Sequence, residues 1–229
     1  MSIAITASID PHYRTTKILA VSQGRWGAIA ESHLNYDPGS LWNTWLITRF
    51  FDGLGTGLET GISETEAVKT AVAEAACHAL ALDIPAEHGV PYLTFTVLLA
   101  GTREWSVYNL GPNLVLHLGR AGTTMVTSPH SELEQLRKEG HIVQDRDRAA
   151  ANLATVVAAR KSEWEDELRC GSVAPDDGDW LLVAPPSVEG YRLALESPPR
   201  NRGEVEALID RLAEPYASYP RTWLAICAE

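Results

Sequence analysis

Phe50-Phe51-Asp52-Gly53-Leu54-Gly55-Thr56-Gly57 sets a carboxylate at the end of an apolar segment and follows it with three glycines in five positions. Read as a strand over Thr44 to Phe51 and a tight loop after it, the stretch exposes Asp52 and the carbonyl beside it. Glycine lets the backbone approach a ligand closely, and a carboxylate with a backbone carbonyl suits a hard cation such as Mg²⁺ or Mn²⁺. The plainer alternative is a strand-to-helix turn in which Asp52 bonds its own loop amides. The loop lacks the Lys-Ser/Thr ending of a phosphate-binding P-loop, and its spacing is not G-x-G-x-x-G, so it carries no nucleotide fingerprint.

Upstream, Ile3 to Ile9, Thr15 to Val21 and Trp26 to Glu31 alternate like strands and are bounded by Asp10-Pro11 and Gln23-Gly24. Downstream the period changes. Ser63-Glu64-Thr65-Glu66 is a capping box, and the Ala-rich stripe from Ala67 to Leu80 predicts a helix to about Leu82. Strands return as a meander at Tyr92 to Ala100, Glu104 to Leu110, Asn113 to Leu118 and Thr123 to Thr127. A second capping box at Ser131 to Glu134 predicts a short helix closed by Gly140, and Arg148 to Leu168 suits a longer one. Asp179 to Ala184 and Thr222 to Ala228 read as strands around a helix at Glu204 to Leu212. The pattern predicts one α+β domain over residues 1–229, with two antiparallel sheets and helices packed outside them.

At 229 residues, 45% hydrophobic and 21% charged, the chain is long and apolar enough for a real core. Its net charge of −11 argues against nucleic acid and anionic membrane surfaces as partners. No apolar run approaches the roughly 20 residues of a membrane helix, and the N-terminus has no signal-peptide pattern, so a cytoplasmic protein is expected. Three widely spaced cysteines, Cys77, Cys170 and Cys227, fit small buried hydrophobes better than disulfides or zinc ligands. The seven histidines show no metal-site spacing. The seven tryptophans mostly suit cores, with Trp42 and Trp164 in polar contexts that suit an interface.

The order of these pieces resembles the metal-dependent serine/threonine protein phosphatases of type 2C, the PPM family. Asp52-Gly53-Leu54-Gly55 is similar to the family's D-G-x-G, and Asn109-Leu110-Gly111-Pro112-Asn113 to its N-V-G-D-S turn. Pro129-His130-Ser131 with Glu139-Gly140-His141-Ile142 resembles D-H-S…x-G-x-I, and Asn152 to Thr155 stands where R-N-x-L-T-R-A-L-G is expected. Gly178-Asp179-Trp180-Leu181-Leu182-Val183 resembles G-D-F-L-L-L, and the chain ends on a strand as the family does. Gly24 to Ser32 is similar to G-x-x-R-x-x-N-E-D.

The resemblance implies a four-layer αββα sandwich with a site at one edge of the central sheets. In the family two Mn²⁺ or Mg²⁺ ions activate a water for attack on the phosphoryl group. Here Pro186, Tyr219-Pro220 and Pro112 fall where that pattern has aspartates, and Gly27 falls on its phosphate-binding Arg, with Arg25 as the remnant. What remains of the implied ligand set is Glu31, Asp52 and the Gly53 carbonyl, enough for one weakly held Mn or Mg ion. Two readings follow. One is a pseudophosphatase, a regulatory module that binds a protein partner or phosphoprotein. The other is an atypical Mn/Mg-dependent phosphatase using one ion or substitute ligands from Asp176, Asp177 or Glu189.

Overall fold

The computed structural model describes residues 3–8, 16–23, 25–33, 40–81, 92–101, 103–130, 139–140, 157–158, 164–184, 197–213 and 221–228. Its strands are β1 (Ile3–Ser8), β2 (Thr16–Gln23), β3 (Trp26–His33), β4 (Tyr92–Ala100), β5 (Trp105–Leu110), β6 (Leu114–Gly119), β7 (Gly122–Thr127), β8 (Val157–Ala158), β9 (Arg169–Val173), β10 (Trp180–Ala184) and β11 (Arg221–Cys227). The helices are α1 (Ser40–Glu59), α2 (Glu64–Ala81), α3 (Trp164–Glu167) and α4 (Arg202–Ala213).

Two antiparallel sheets form. One runs β1-β11-β10-β6-β7; the other runs β2-β3-β4-β5-β9, with β8 paired beside β4. Strand alternation sorts side chains into three apolar layers. Ile29, Leu98 and Val107 from one sheet meet Val115, Leu181, Val183, Leu224 and Ile226 from the other. Ala28, Ala30, Phe95 and Val97 on the opposite face are covered by α1 and α2. Leu116, Leu182 and Trp223 pack with Val205, Leu208 and Ile209 of α4. Helix, sheet, sheet, helix is the layering that the resemblance implies.

The segment Thr44 to Phe51, expected as a strand, is helical, and the glycine run expected as a loop lies inside the same helix. Leu46, Ile47, Phe50, Phe51 and Leu54 repeat at three and four residues and are all buried, which is a helical stripe. Gly53 and Gly57, four apart, face α2: a Cβ on Gly53 would stand 3.1 Å from the Ala71 Cα, and one on Gly57 3.1 Å from the Ala67 Cα. Glycine here serves close helix approach. Gly61, with φ +75°, stands in the turn that follows α1.

Helix α2 starts as its capping box predicts, with the Glu66 amide donating to Ser63 Oγ at 3.3 Å. The strands of the meander and the last two strands fall within two residues of expectation. The helix expected over Arg148 to Leu168 is replaced, where described, by β8 and the one-turn α3, because Val157 and Ala158 complete the edge of β4. The capping box at Ser131 to Glu134 lies outside the described residues; Gly140 has φ +80°, as a closing glycine needs. Cys227 is buried, but Cys77 and Cys170 are exposed, on an outer helix and an edge strand. Trp164 is core, and the exposed tryptophan is Trp45.

Candidate functional site

Along the faces that meet between the sheets, side chains change from apolar to polar toward one end. On β3 the inward positions run Gly27, Ile29, Glu31; a Cβ on Gly27 would meet Ile226 and Leu224 of the opposing sheet. On β4 they run Leu98, Thr96, Thr94, Tyr92, and on β5 Val107, Asn109. Register sets Glu31 opposite Thr94 and Thr96 opposite Asn109. Gly111 and Pro112 then turn the chain into β6 of the other sheet.

The row is closed by hydrogen bonds among neutral groups. Thr96 Oγ1 donates to Asn109 Oδ1 at 2.8 Å, Asn109 Nδ2 to the Asn113 carbonyl at 3.0 Å, and Asn113 Nδ2 to Thr96 Oγ1 at 3.2 Å. Thr94, Thr96 and Asn109 are buried. Glu31 is the carboxylate of this row. Burial pushes its pKa up to about 7, since enclosure disfavours the charged form. Burial, with the Glu31 charge behind it, also raises the Tyr92 phenol. A carboxyl poised near neutrality can hold or release a proton at physiological pH, or meet a cation with its charge.

Asp52, Gly53, Arg25, Asp176 and Asp177, also expected at the site, lie elsewhere. Asp52 is exposed on α1, which covers the outer face of the sheet, so the sheet separates it from the Glu31 side chain. Gly53 is in the α1–α2 seam, where its carbonyl belongs to the helical ladder. Arg25 is exposed in the β2–β3 turn, six residues from Glu31 along an extended strand, about 20 Å. Asp176 and Asp177 precede β10 at that same far end, where Asp179 Oδ2 accepts the Asp176 amide and meets His117 Nε2 at 2.8 Å. Pro186, Glu189 and Tyr219-Pro220 lie outside the described residues, and Pro112 is buried in the β5–β6 turn. The signal that marks the site is the alternation on β4, with Tyr92, Thr94 and Thr96 polar between apolar Leu93, Phe95 and Val97.

Two antiparallel sheets stacked face to face between helix layers define an α+β sandwich with a site at one end of the inter-sheet layer. That fold is the fold of the PPM serine/threonine phosphatases. The M. tuberculosis phosphatase PstP/Ppp superposes with a TM-score of 0.72 at 13% identity, covering 100% of this chain and 98% of that one. The catalytic domain of PstP in complex with two manganese ions gives 0.73 at 13% identity, covering 100% and 98%. The PPM phosphatase MsPP from Mycobacterium smegmatis, in complex with cacodylate, gives 0.69 at 18% identity, covering 100% and 99%. No protein-family model matches the chain, and no curated protein matches it by sequence.

Among the described residues no group of three or more His, Cys, Asp or Glu could hold a metal ion. The described end of the inter-sheet layer offers one carboxylate among hydroxyls and amides that bond one another, a donor set that does not fit a pair of divalent ions. No helix among the described residues is long and apolar enough to cross a membrane.

Proposed function

We propose that this chain is a pseudophosphatase: a cytoplasmic module with the PPM sandwich that regulates by binding a protein partner or phosphoprotein instead of hydrolysing it. The observation that carries this reading is the Thr96–Asn109–Asn113 triad. These side chains occupy the polar end of the inter-sheet layer and are tied to one another and to the Asn113 carbonyl by hydrogen bonds, with Glu31 the anion beside them among the described residues. With one carboxylate among the described residues of a neutral setting, such a site attracts a divalent cation weakly and gives a bound water little activation. The sequence supports the same reading, with Pro112, Pro186 and Tyr219-Pro220 at positions where the family pattern has aspartates.

A second reading, an atypical Mn/Mg-dependent phosphatase, draws on Glu31 itself, an enclosed carboxyl of the kind that enzymes use. Asp176 and Asp177 precede β10 at the far end of the sheet, away from Glu31, and Glu189, the other substitute ligand expected from the sequence, lies outside the described residues.

Calorimetric titration of the metal-free protein with Mn²⁺, beside turnover of an aryl phosphate and a phosphopeptide, separates the two. The pseudophosphatase reading expects at most one weak site and no metal-dependent phosphate release. Two tight equivalents with turnover would overturn it.

A further inference from the structure

His130 joins three segments at the same end of the molecule as Glu31. It follows β7, and it is buried. Its Nε2 donates to the Glu167 carbonyl at the end of α3, at 2.5 Å. That bond fixes the proton on Nε2 and leaves Nδ1 as an acceptor, which takes the Gly111 amide at 3.1 Å. The His130 amide in turn donates to the Gly111 carbonyl at 2.8 Å. Gly111, with φ +133°, stands so close to β4 that a Cβ there would lie 2.5 Å from the Thr94 Cβ. Thr94 is the register partner of Glu31. A hydrogen-bonded chain therefore runs from α3 through the imidazole to the turn that covers the polar row.

We propose that His130 is an acid-sensitive latch: while its imidazole is neutral it holds the Gly111 turn down on Thr94, and protonation of Nδ1 releases the turn from the Glu31 row. Protonation changes Nδ1 from acceptor to donor. The new proton can go to the Gly111 carbonyl 3.2 Å away, beside the bond that carbonyl accepts from the His130 amide, but the buried Gly111 amide loses its acceptor and is left facing an N–H.

Among the described residues, the charged groups around the ring are Arg169 of β9 and Glu167 of α3. The guanidinium is itself held close, Nη1 donating to the Ser128 and Pro129 carbonyls at 2.7 Å each and to Ser128 Oγ. Burial and then Arg169 lower the His130 pKa, against smaller opposing effects of the Glu167 and Gly111 contacts and the Glu167 charge. The latch is therefore closed at neutral pH and opens only below the ordinary histidine range. It acts on the fold around the site and is independent of whether the chain hydrolyses phosphate.

The test is amide exchange at Gly111 by NMR between pH 7.5 and 5, corrected for intrinsic exchange, alongside direct titration of the His130 ring in the wild-type chain. The latch expects Gly111 protection to fall at least tenfold, with a midpoint matching the ring titration. His130→Gln, whose amide can still donate to Glu167 but does not titrate, should keep a pH-independent level of protection. A Gly111 amide that stays protected through the ring titration, or loses protection at the same pH in His130→Gln, overturns the proposal. If the variant does not fold, the match of ring and amide midpoints in the wild type decides alone.

Discussion

Gly53 on α1 and Ala71 on α2 touch backbone to backbone: a methyl group on Gly53 would stand 3.1 Å from the Ala71 Cα and 2.7 Å from Glu74 Oε2. Glu74 can swing away, but the Ala71 backbone cannot. In an open helix Gly→Ala gains about 1 kcal/mol, whereas overpacking a tight contact costs about 1–3 kcal/mol. Gly53→Ala should therefore be destabilising by about 1 kcal/mol net in urea denaturation. Gly55, two residues on, is the internal control. Its Cβ would find only Trp26 Cζ2 at 3.9 Å, an ordinary contact, so Gly55→Ala should raise stability by about 0.5–1 kcal/mol. Equal signs for the two substitutions would refute the seam.

The same seam explains what the sequence hid. Leu46-Ile47 and Phe50-Phe51 satisfy both a short apolar strand and a helical stripe, and glycine suits both a loop and a close helix contact. The discriminating pattern is Gly53 and Gly57 matched to Ala67 and Ala71, which requires knowing that the two segments pair. Strands of the meander were legible because alternation and turn residues are local. The neutral row at the site was not. Glu31 meets Thr94 and Thr96 meets Asn109 through register, across separations in sequence that no local pattern spans. Glu31 was visible through the family resemblance, which also pointed to Asp52, a residue the helix carries to the other side of the sheet.

Gly111 should be hard to replace on two counts. Its φ of +133° is strained for any L side chain, and the added methyl would collide with Thr94, a rigid strand residue, at 2.5 Å. Gly111→Ala should cost about 3 kcal/mol in urea denaturation. Gly122→Ala, also at positive φ but with open space around it, should cost clearly less. Similar losses would mean that backbone strain alone, and not contact with Thr94, fixes the turn.

The raised Glu31 pKa has a defined sign in stability. Folding lifts the carboxyl from 4.5 to about 7, so between those values the native state binds more protons than the unfolded chain, and stability falls as pH rises. In chelator-treated protein, Glu31→Gln should be close to wild type near pH 4.5 and more stable at pH 8, by roughly 3 kcal/mol at most. Urea titrations of both proteins at the two pH values check it. A difference that is the same at both would show that the carboxyl keeps its ordinary pKa.

Glu31 and Asp52 also make opposite predictions for cation binding. Asp52 projects from the exposed side of α1, so Asp52→Ala should leave any Mn²⁺ isotherm unchanged and shift stability by no more than about 0.5 kcal/mol. Glu31 supplies the anionic charge of the polar row, so Glu31→Gln should abolish whatever weak Mn²⁺ heat the wild type shows. The variants are compared by calorimetry at pH 7.5, where Mn²⁺ must displace the proton that burial favours on Glu31. Binding should therefore weaken as pH falls through 7. If Asp52→Ala removes Mn²⁺ binding while Glu31→Gln retains it, the ion is held on the helical face of the sheet and the inter-sheet row is not the site.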